Sequence, residues 1–338
     1  MPKEVFIYKE SFELESGESL PGFELAYQTW GTRNEDDSNI VWVCHALTGN
    51  TDVIDWWPGM IGDDSALNPE KHFIICANML GSCYGSTHAL STNPTTGSPY
   101  YHTFPFLTNR DMVRAFDALR EALNIPKIKL ILGGSMGGQH ALEWAVMKPD
   151  LFDYLAPVAT NAQHSPWGIA FNETQRMSIE ADSSWKNDHP EAGLIGMRAA
   201  RAAALLSYRS YEAYFISQEE TDNHKYDDFR ASSYQQYQGK KISQRFNAFA
   251  YWTLSKAMDS QNLGRGRESI RQALQSIKAK TLVIAIDSDI LFPPAEQKFI
   301  ADHIPNAKFE VVRSPKGHDG FLIEIAAISD LLKDFINS

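Results

Sequence analysis

The chain has 338 residues, of which 43% are hydrophobic and 22% are charged, and its formal net charge is −11. This composition is typical of a soluble globular protein and gives no indication of disorder. Nucleic acid and anionic membranes repel an acidic chain unless it carries a local basic patch, so neither is an expected partner.

The start of the chain and the cysteines predict a cytoplasmic protein. Residues 1–6 have no cationic stretch followed by an apolar core, so no signal peptide is expected. No apolar run approaches the roughly 20 residues that a membrane span needs. The cysteines at 44, 76 and 83 are odd in number and widely spaced, which indicates neither a disulfide framework nor a metal site.

The first half of the chain predicts strands that alternate with helices. Residues 5–14 and 23–29 alternate apolar and polar side chains, as a β meander does. The uninterrupted apolar runs 39–44 and 72–77 are typical of parallel strands covered on both faces. A helix at 109–123, a strand at 129–133, a helix at 135–147 and a strand at 153–159 follow, which indicates a doubly wound, mostly parallel sheet.

This alternation stops at about residue 161 and resumes at about residue 276. The intervening part has no clear apolar strand, and it shows helical periodicity at 193–214 and 243–258. Strands are again expected at 281–286 and 308–312, before a final helix at about 320–336. We therefore predict an α/β core formed by residues 1–160 and 276–338, with a helical lid insertion at 161–275.

A nucleophile elbow is predicted at Ser135. Gly133-Gly-Ser-Met-Gly137 matches G-x-S-x-G, and it lies directly between a predicted strand and a predicted helix. The alternative is a glycine-rich turn that cradles phosphate, but the patterns G-x-x-x-x-G-K-[ST] and G-x-G-x-x-G are both absent from the segment. The elbow predicts an α/β-hydrolase fold with Ser135 as the nucleophile.

A serine nucleophile needs a base and an acid that orients the base, and in this fold they follow in the order Ser, Asp or Glu, His. His318 follows the predicted strand 308–312 and is the expected base. Asp289 follows the predicted strand 281–286 and is the favoured acid, with Asp287 as the close alternative. The backbone N–H groups of Met136 and of Leu47, in the loop after strand 39–44, are the expected oxyanion hole.

Several motifs resemble the homoserine O-acetyltransferase family. They extend over nearly the whole chain, and their specificity lies in their combination. They include Cys44-His-Ala-Leu-Thr-Gly49, Asp55-Trp-Trp-Pro-Gly-Met-Ile-Gly62, Gly133-Gly-Ser-Met-Gly-Gly138, Ala141-Leu-Glu-Trp-Ala145, Ser288-Asp-Ile-Leu-Phe-Pro293 and Gly317-His-Asp-Gly-Phe321.

The resemblance implies transfer of an acetyl group from acyl-CoA to the hydroxyl of L-homoserine, in methionine biosynthesis. It implies the triad Ser135, Asp289 and His318, and a substrate clamp formed by Arg201 and Asp319, with Arg198 as a competitor one turn away. It also implies a homodimer formed through the helical insertion. No metal or cofactor is implied, because acyl-CoA acts as a co-substrate.

Alternatives remain at this stage. Residues 87–91 and the segment near Trp185 depart from the family pattern and could line the acceptor pocket, which leaves serine open as the acceptor. A succinyl-CoA donor is also open, because pocket depth decides the donor, and so is an esterase or deacylase that uses water as the acceptor. Basic residues of the helical lid insertion could attract the polyphosphate of the donor, or they could form ordinary surface ion pairs. They are Lys240, Lys241, Arg245, Lys256, Arg265, Arg267 and Arg271.

Overall fold

The computed structural model describes residues 3–337, which form a sheet flanked by helices. The strands are β1 (Glu4–Tyr8), β2 (Phe12–Glu13), β3 (Ser19–Leu20), β4 (Phe23–Trp30), β5 (Ile40–Cys44), β6 (Phe73–Ala77), β7 (Ile128–Gly134), β8 (Phe152–Val158), β9 (Lys280–Ile286) and β10 (Ala307–Val312). Eight of them form one sheet in the order β1-β4-β6-β5-β7-β8-β9-β10, and β2 pairs with β3 in a short hairpin.

Six consecutive strands of the large sheet, from β6 to β10 in its spatial order, are parallel, while β1 and β4 are antiparallel to their neighbours. The expected α/β-hydrolase fold with a mostly parallel sheet is confirmed. The expectation for residues 5–14 was wrong in one respect. The chain leaves the large sheet after Tyr8, and β2 belongs to the separate hairpin.

The helices cover both faces of this sheet. They are α1 (Val53–Trp56), α2 (Asn109–Ala122), α3 (Met136–Met147), α4 (Pro166–Glu180), α5 (Leu194–Tyr208), α6 (Tyr211–Gln218), α7 (Arg230–Ile242), α8 (Ala248–Asp259), α9 (Ile270–Gln275), α10 (Pro294–His303), α11 (Gly320–Ile323) and α12 (Ile325–Ile336), with short 3-10 helices at Tyr101–Thr103 and Gly317–Asp319. The last helix, expected to be continuous, is interrupted at Glu324. None of the helices in residues 3–337 has both the length and the apolar character to cross a membrane.

Strand β5 shows how the two faces of the sheet form separate parts of the core. Its five residues are all fully buried, and successive side chains point to opposite faces. Trp42 packs edge-on against Trp144 of α3, with 4.9 Å between ring centroids, whereas Val41 and Val43 belong to the cluster that contains Trp57 and α12. Burial on both faces explains the uninterrupted apolar sequence of this strand.

Six helices, α4 to α9, lie between β8 and β9, and no strand occurs among the described residues of this stretch. We refer to residues 161–275 as the helical segment. A buried ion pair connects two of its helices. Arg176 of α4 is 2% exposed and pairs with Asp259 at the end of α8. An ion pair therefore stabilises the packing of helices within this segment, in addition to apolar contacts.

Three histidines are almost completely buried, and of these His164 lies 4.0 Å from the carboxylate of Asp259. Burial lowers the pKa of His45 to about 4, that of His164 to about 4 and that of His140 to about 3. Neither ring nitrogen of His140 has a hydrogen-bond partner among the described residues. All three are therefore neutral in the folded protein at pH 7.

These histidines should make the fold sensitive to acid. An unfolded histidine binds a proton below about pH 6.5, and the buried ones do not, so stability is full above that pH and decreases as the pH falls towards about 4. His140→Leu should reduce this loss by about 1.4 kcal/mol per pH unit. Urea denaturation at about pH 7 and about pH 5 measures it, with the exposed His224→Leu as the control. If both variants and the unmodified protein lost the same free energy of unfolding between these two pH values, the account would be contradicted.

Candidate active site

Ser135 occupies a strained turn between β7 and α3. Its backbone φ is +58° and its ψ is −126°, a conformation that non-glycine residues rarely adopt. The Ser135 N–H donates to Val158 O at 2.9 Å, and Thr160 Oγ1 donates to Ser135 O at 2.7 Å. Hydrogen bonds from both sides of the turn thus hold the serine in place.

The glycines around Ser135 are required by close backbone contacts. A Cβ on Gly137 would lie 2.1 Å from Cys44 O, and one on Gly133 would lie 2.4 Å from the backbone of Gly137. The N-terminus of α3 therefore presses directly on the end of β5. This contact is the physical reason for the glycines of the G-x-S-x-G motif.

The structure brings Ser135, His318 and Asp289 into one hydrogen-bonded chain. His318 Nε2 lies 2.9 Å from Ser135 Oγ, and His318 Nδ1 lies 2.7 Å from Asp289 Oδ2. The three residues are only 3% to 6% exposed. A serine hydroxyl facing an imidazole that faces a carboxylate is the geometry of an activated nucleophile.

Asp289 and Asp287 have different roles in the structure. Asp289 Oδ1 accepts hydrogen bonds from Leu291 N at 2.8 Å and Phe292 N at 2.9 Å, which leaves Oδ2 for the histidine. Asp287 Oδ1 instead accepts from Ser314 N at 2.9 Å, so it braces the loop that carries His318. The geometry therefore favours Asp289 as the acid.

Aromatic rings pack around the imidazole of His318. The ring centroids of Phe292 and Phe321 lie 5.0 and 5.1 Å from that of His318, and Tyr208 of α5 lies at 5.9 Å. Trp57 holds the backbone of Phe321 in place, because its Nε1–H donates to Phe321 O at 2.9 Å. The histidine is thus held in one orientation by packing as well as by Asp289.

The backbone amides of Leu47 and Met136 are both available as donors. Met136 is the first residue of α3, where a helical N–H has no partner within the helix. Leu47 lies in the turn closed by Gly49 N donating to Ala46 O at 2.8 Å. Within residues 3–337, neither amide donates to another protein group. The contact of Gly137 with the backbone at Cys44 brings the two segments together.

Arg201 and Asp319 lie beside the triad. The guanidinium of Arg201 stacks over the Tyr208 ring, 5.2 Å from its centroid, and pairs with no carboxylate among residues 3–337. Burial raises the pKa of Asp319 above its usual value, although Arg209 and Arg201 oppose this rise. Arg198, the competing arginine, points away and donates to Ser243 Oγ at 3.0 Å on the surface.

The direct partner of Asp319 is Arg209, which the sequence reasoning missed. Arg209 Nε lies 2.7 Å from Asp319 Oδ2, so the two side chains form an ion pair. Arg209 follows α5 directly, eight positions after Arg201. Its backbone is extended, outside the helix, so helical spacing from Arg201 does not indicate this pairing.

Two arginines of the predicted basic set form ion pairs with glutamates outside the helical segment. Arg265 pairs with Glu15 at 2.7 Å, and Arg267 pairs with Glu143 at 2.6 Å. Both carboxylates also pair with Arg110, so the two guanidinium groups belong to a network of ion pairs. The structure thus favours ion pairing over donor binding for these two residues.

The two segments that depart from the family pattern meet at a small aromatic cavity. Ala89 and Trp185 both line it, together with Tyr101 and Phe249, and its volume is about 120 Å³. None of its lining residues belongs to the triad. The departures consequently leave the hydrogen-bonded chain from Ser135 to Asp289 untouched.

Comparisons with known proteins identify the fold and the family of the chain. Residues 39–324 match the family model described as alpha/beta hydrolase fold. The chain is 50% identical over 335 residues to a homoserine O-acetyltransferase of Cyclobacterium marinum, covering 99% of this chain and 95% of that one. The solved homoserine O-acetyltransferase of Bacillus anthracis superposes with a TM-score of 0.91 at 23% identity, covering 100% and 98% of the two chains.

An acetylester hydrolase of Corynebacterium glutamicum is also similar, with a TM-score of 0.88 and 27% identity over 100% of this chain and 96% of that one. The fold alone thus accommodates more than one activity. The sequence relatives, however, share 41% to 50% identity with this chain over nearly its full length and carry one name. The resemblance drawn from the motifs is confirmed, and the chain belongs to the homoserine O-acetyltransferase family.

Proposed function

We propose that this protein transfers an acetyl group from acetyl-CoA to the side-chain hydroxyl of L-homoserine, through an acyl-enzyme on Ser135, in methionine biosynthesis. The observation that carries the proposal is the position of Arg201 and Asp319. The guanidinium of Arg201, which forms no ion pair with a carboxylate among residues 3–337, and the partly buried carboxylate of Asp319 lie next to the complete Ser135–His318–Asp289 chain. A nucleophile for acyl transfer thus lies beside two side chains whose charges complement the carboxylate and the ammonium of an amino acid.

In the first half-reaction, His318 Nε2 takes the proton of Ser135 as Oγ attacks the thioester carbonyl. The oxyanion binds the amides of Leu47 and Met136, where a fixed N–H pair stabilises developing charge. The tetrahedral intermediate collapses, the C–S bond breaks, and the CoA sulfur receives the proton from His318. Asp289 stabilises the imidazolium throughout.

In the second half-reaction, homoserine gives its hydroxyl proton to His318 and attacks the acetyl group on Ser135. The ester to Ser135 breaks, His318 returns its proton to Oγ, and O-acetylhomoserine leaves. Two half-reactions that share one nucleophile give ping-pong kinetics.

The clamp accounts for the choice of acceptor. A guanidinium binds a carboxylate bidentately, so Arg201 would hold the carboxylate of homoserine. Asp319, whose Oδ2 lies 2.7 Å from Arg209 Nε, would hold the ammonium. An esterase that uses water has no need for such a pair of charges.

We further propose that the helical segment acts as a lid that keeps water from the acyl-enzyme. The low exposure of Ser135 and His318 supports this role, because a site closed to solvent protects a reactive ester. The triad supplies nucleophile, base and orienting acid, so no cofactor is proposed beyond acyl-CoA as co-substrate. The three cysteines are free thiols, which agrees with a cytoplasmic location.

The test is a matrix of acetyl-CoA and succinyl-CoA against homoserine, serine and buffer alone, with thiol release followed and the product identified by mass. The proposal requires rapid thiol release only with acetyl-CoA and homoserine, and O-acetylhomoserine as the product. Release that does not depend on homoserine would indicate a hydrolase instead. Faster turnover with serine than with homoserine would make serine the acceptor, and faster turnover with succinyl-CoA than with acetyl-CoA would make succinyl-CoA the donor.

We also propose that the protein is a homodimer that associates through the helical segment. Exposed apolar side chains concentrate on α6, where Tyr211 is 84%, Phe215 53% and Ile216 60% exposed. Clusters of this kind mark protein interfaces. Changing Phe215 and Ile216 together to Asp should halve the mass measured by light scattering, whereas Val311→Asp at the sheet edge should not. A monomeric unmodified protein would refute the proposal.

A further inference from the structure

Arg245 connects the helical segment to the loop that carries Leu47. It lies between α7 and α8, and its guanidinium reaches across to the core. Nη1 donates to Thr48 O at 2.8 Å and also hydrogen bonds to the hydroxyl of Tyr84. Thr48 immediately follows Leu47. The guanidinium thus contacts the neighbour of an expected oxyanion donor.

Two consecutive hydrogen bonds relay this contact to the amide of Leu47. The peptide between Thr48 and Gly49 has its carbonyl held by Arg245 and its N–H donated to Ala46 O at 2.8 Å. The peptide between Ala46 and Leu47 therefore has its carbonyl fixed. Because a trans peptide points its C=O and N–H in opposite directions, the N–H of Leu47 is aimed away from this bond.

His45 supplies the only other support of that carbonyl among the described residues. Its Nδ1–H donates to Ala46 O at 2.8 Å, and its Nε2 accepts from Met79 N at 3.0 Å. Both ring nitrogens are thus engaged with the backbone of the core. The oxyanion loop, residues 45–49, is consequently braced by the core through His45 and by the helical segment through Arg245.

We propose that Arg245 is a positioning residue that makes the orientation of the Leu47 amide depend on docking of the helical segment. The inference rests on the proposed function, since it takes Leu47 as an oxyanion donor. Both half-reactions develop an oxyanion in the same place, so both depend on Arg245. The coupling would leave the oxyanion hole fully formed only when the helical segment covers the site.

A competing role for Arg245 is to bind the phosphates of the donor, and the acyl donor used in the test separates the two. 4-Nitrophenyl acetate acylates the serine without any phosphate, so its burst of nitrophenolate reports the oxyanion hole alone. Arg245→Met should slow this burst about tenfold, well below the loss of 10²–10³ when a donor is removed outright. The kcat with acetyl-CoA and homoserine should fall by a similar factor, and the KM for acetyl-CoA should change less than about twofold.

Matched variants complete the experiment. Arg245→Lys keeps one charged donor and should recover part of the burst rate, while Lys241→Met removes a nearby surface charge and should have no effect. A burst at the unmodified rate in Arg245→Met would overturn the inference. So would a rise confined to the KM for acetyl-CoA, which would make Arg245 a donor-binding residue. Ser135→Ala is run in parallel, because a burst that survives in it defeats the proposed function independently of Arg245.

Discussion

Asp289→Asn is expected to lower kcat by about 10⁴-fold while the protein remains folded. The change conserves shape and volume, and the two backbone donors on Oδ1 can still be satisfied. The loss is therefore expected in the chemical steps of both half-reactions. Steady-state kinetics with acetyl-CoA and homoserine, together with the burst of 4-nitrophenyl acetate, measure it.

The geometry explains why so small a change should have so large an effect. The N–H groups of Leu291 and Phe292 point at Oδ1, so an asparagine must place its carbonyl oxygen there. Its NH₂ group then faces His318 Nδ1 as a donor. The imidazole must accept this bond at Nδ1 and carry its proton on Nε2, which faces Ser135. In that tautomer the histidine cannot accept the serine proton.

Asp287→Asn provides the matched control. The two aspartates are two positions apart after the same strand, and both bond to backbone amides. Asp287 does not contact the histidine, so its change should lower kcat less than about tenfold, through the Ser314 loop. A larger loss in Asp287→Asn than in Asp289→Asn would reverse the assignment of the acid.

The second large effect is expected from Arg201→Met, which should raise the KM for homoserine about 100-fold. The loss of a bidentate, charged contact to the carboxylate of the acceptor accounts for a change of this size. Acylation by 4-nitrophenyl acetate should stay within about threefold of the unmodified rate, because this half-reaction does not involve homoserine.

Arg198→Met serves as the control for Arg201, since it removes the same group from the same helix one turn earlier. Its guanidinium contacts Ser243 at the surface, and its loss should leave the KM for homoserine unchanged. Asp319→Asn should also raise this KM, because the ammonium would then face Arg209 without a carboxylate between them. Equal losses in both half-reactions of Arg201→Met would show a general disruption of the site and contradict the clamp.

Much of the core and of the site could be predicted from the sequence, because the local sequence patterns there agree with the structure that tertiary packing requires. The uninterrupted apolar runs became β5 and β6, and the elbow at Ser135 follows from glycines that the contact with Cys44 requires. Acid and histidine could be located because both follow strand ends at the carboxyl edge of a parallel sheet.

Helix α4 was not predicted, and its buried face explains why. The residues that it buries are largely polar, and they bond to other polar groups in the interior. They are Gly168, Asn172, Gln175, Arg176 and Ile179. Periodicity methods search for an apolar face, and a helix that buries amides and a guanidinium does not present one.

The pairing of Asp319 with Arg209 and the relay from Arg245 to Leu47 also needed the structure. Each joins residues more than 100 positions apart through contacts between separate elements. Sequence spacing constrains neighbours within one helix or strand, but it does not indicate which side chain of the helical segment reaches which loop of the core.

The central claim is that Ser135 carries the acetyl group between donor and acceptor. Mixing the protein with acetyl-CoA in the absence of homoserine, quenching in acid and mapping the peptides by mass spectrometry tests it directly. The account predicts one acetyl group on the peptide containing Ser135, which disappears as O-acetylhomoserine forms when homoserine is added. An unmodified Ser135 during continued turnover, or full turnover by Ser135→Ala, would contradict it.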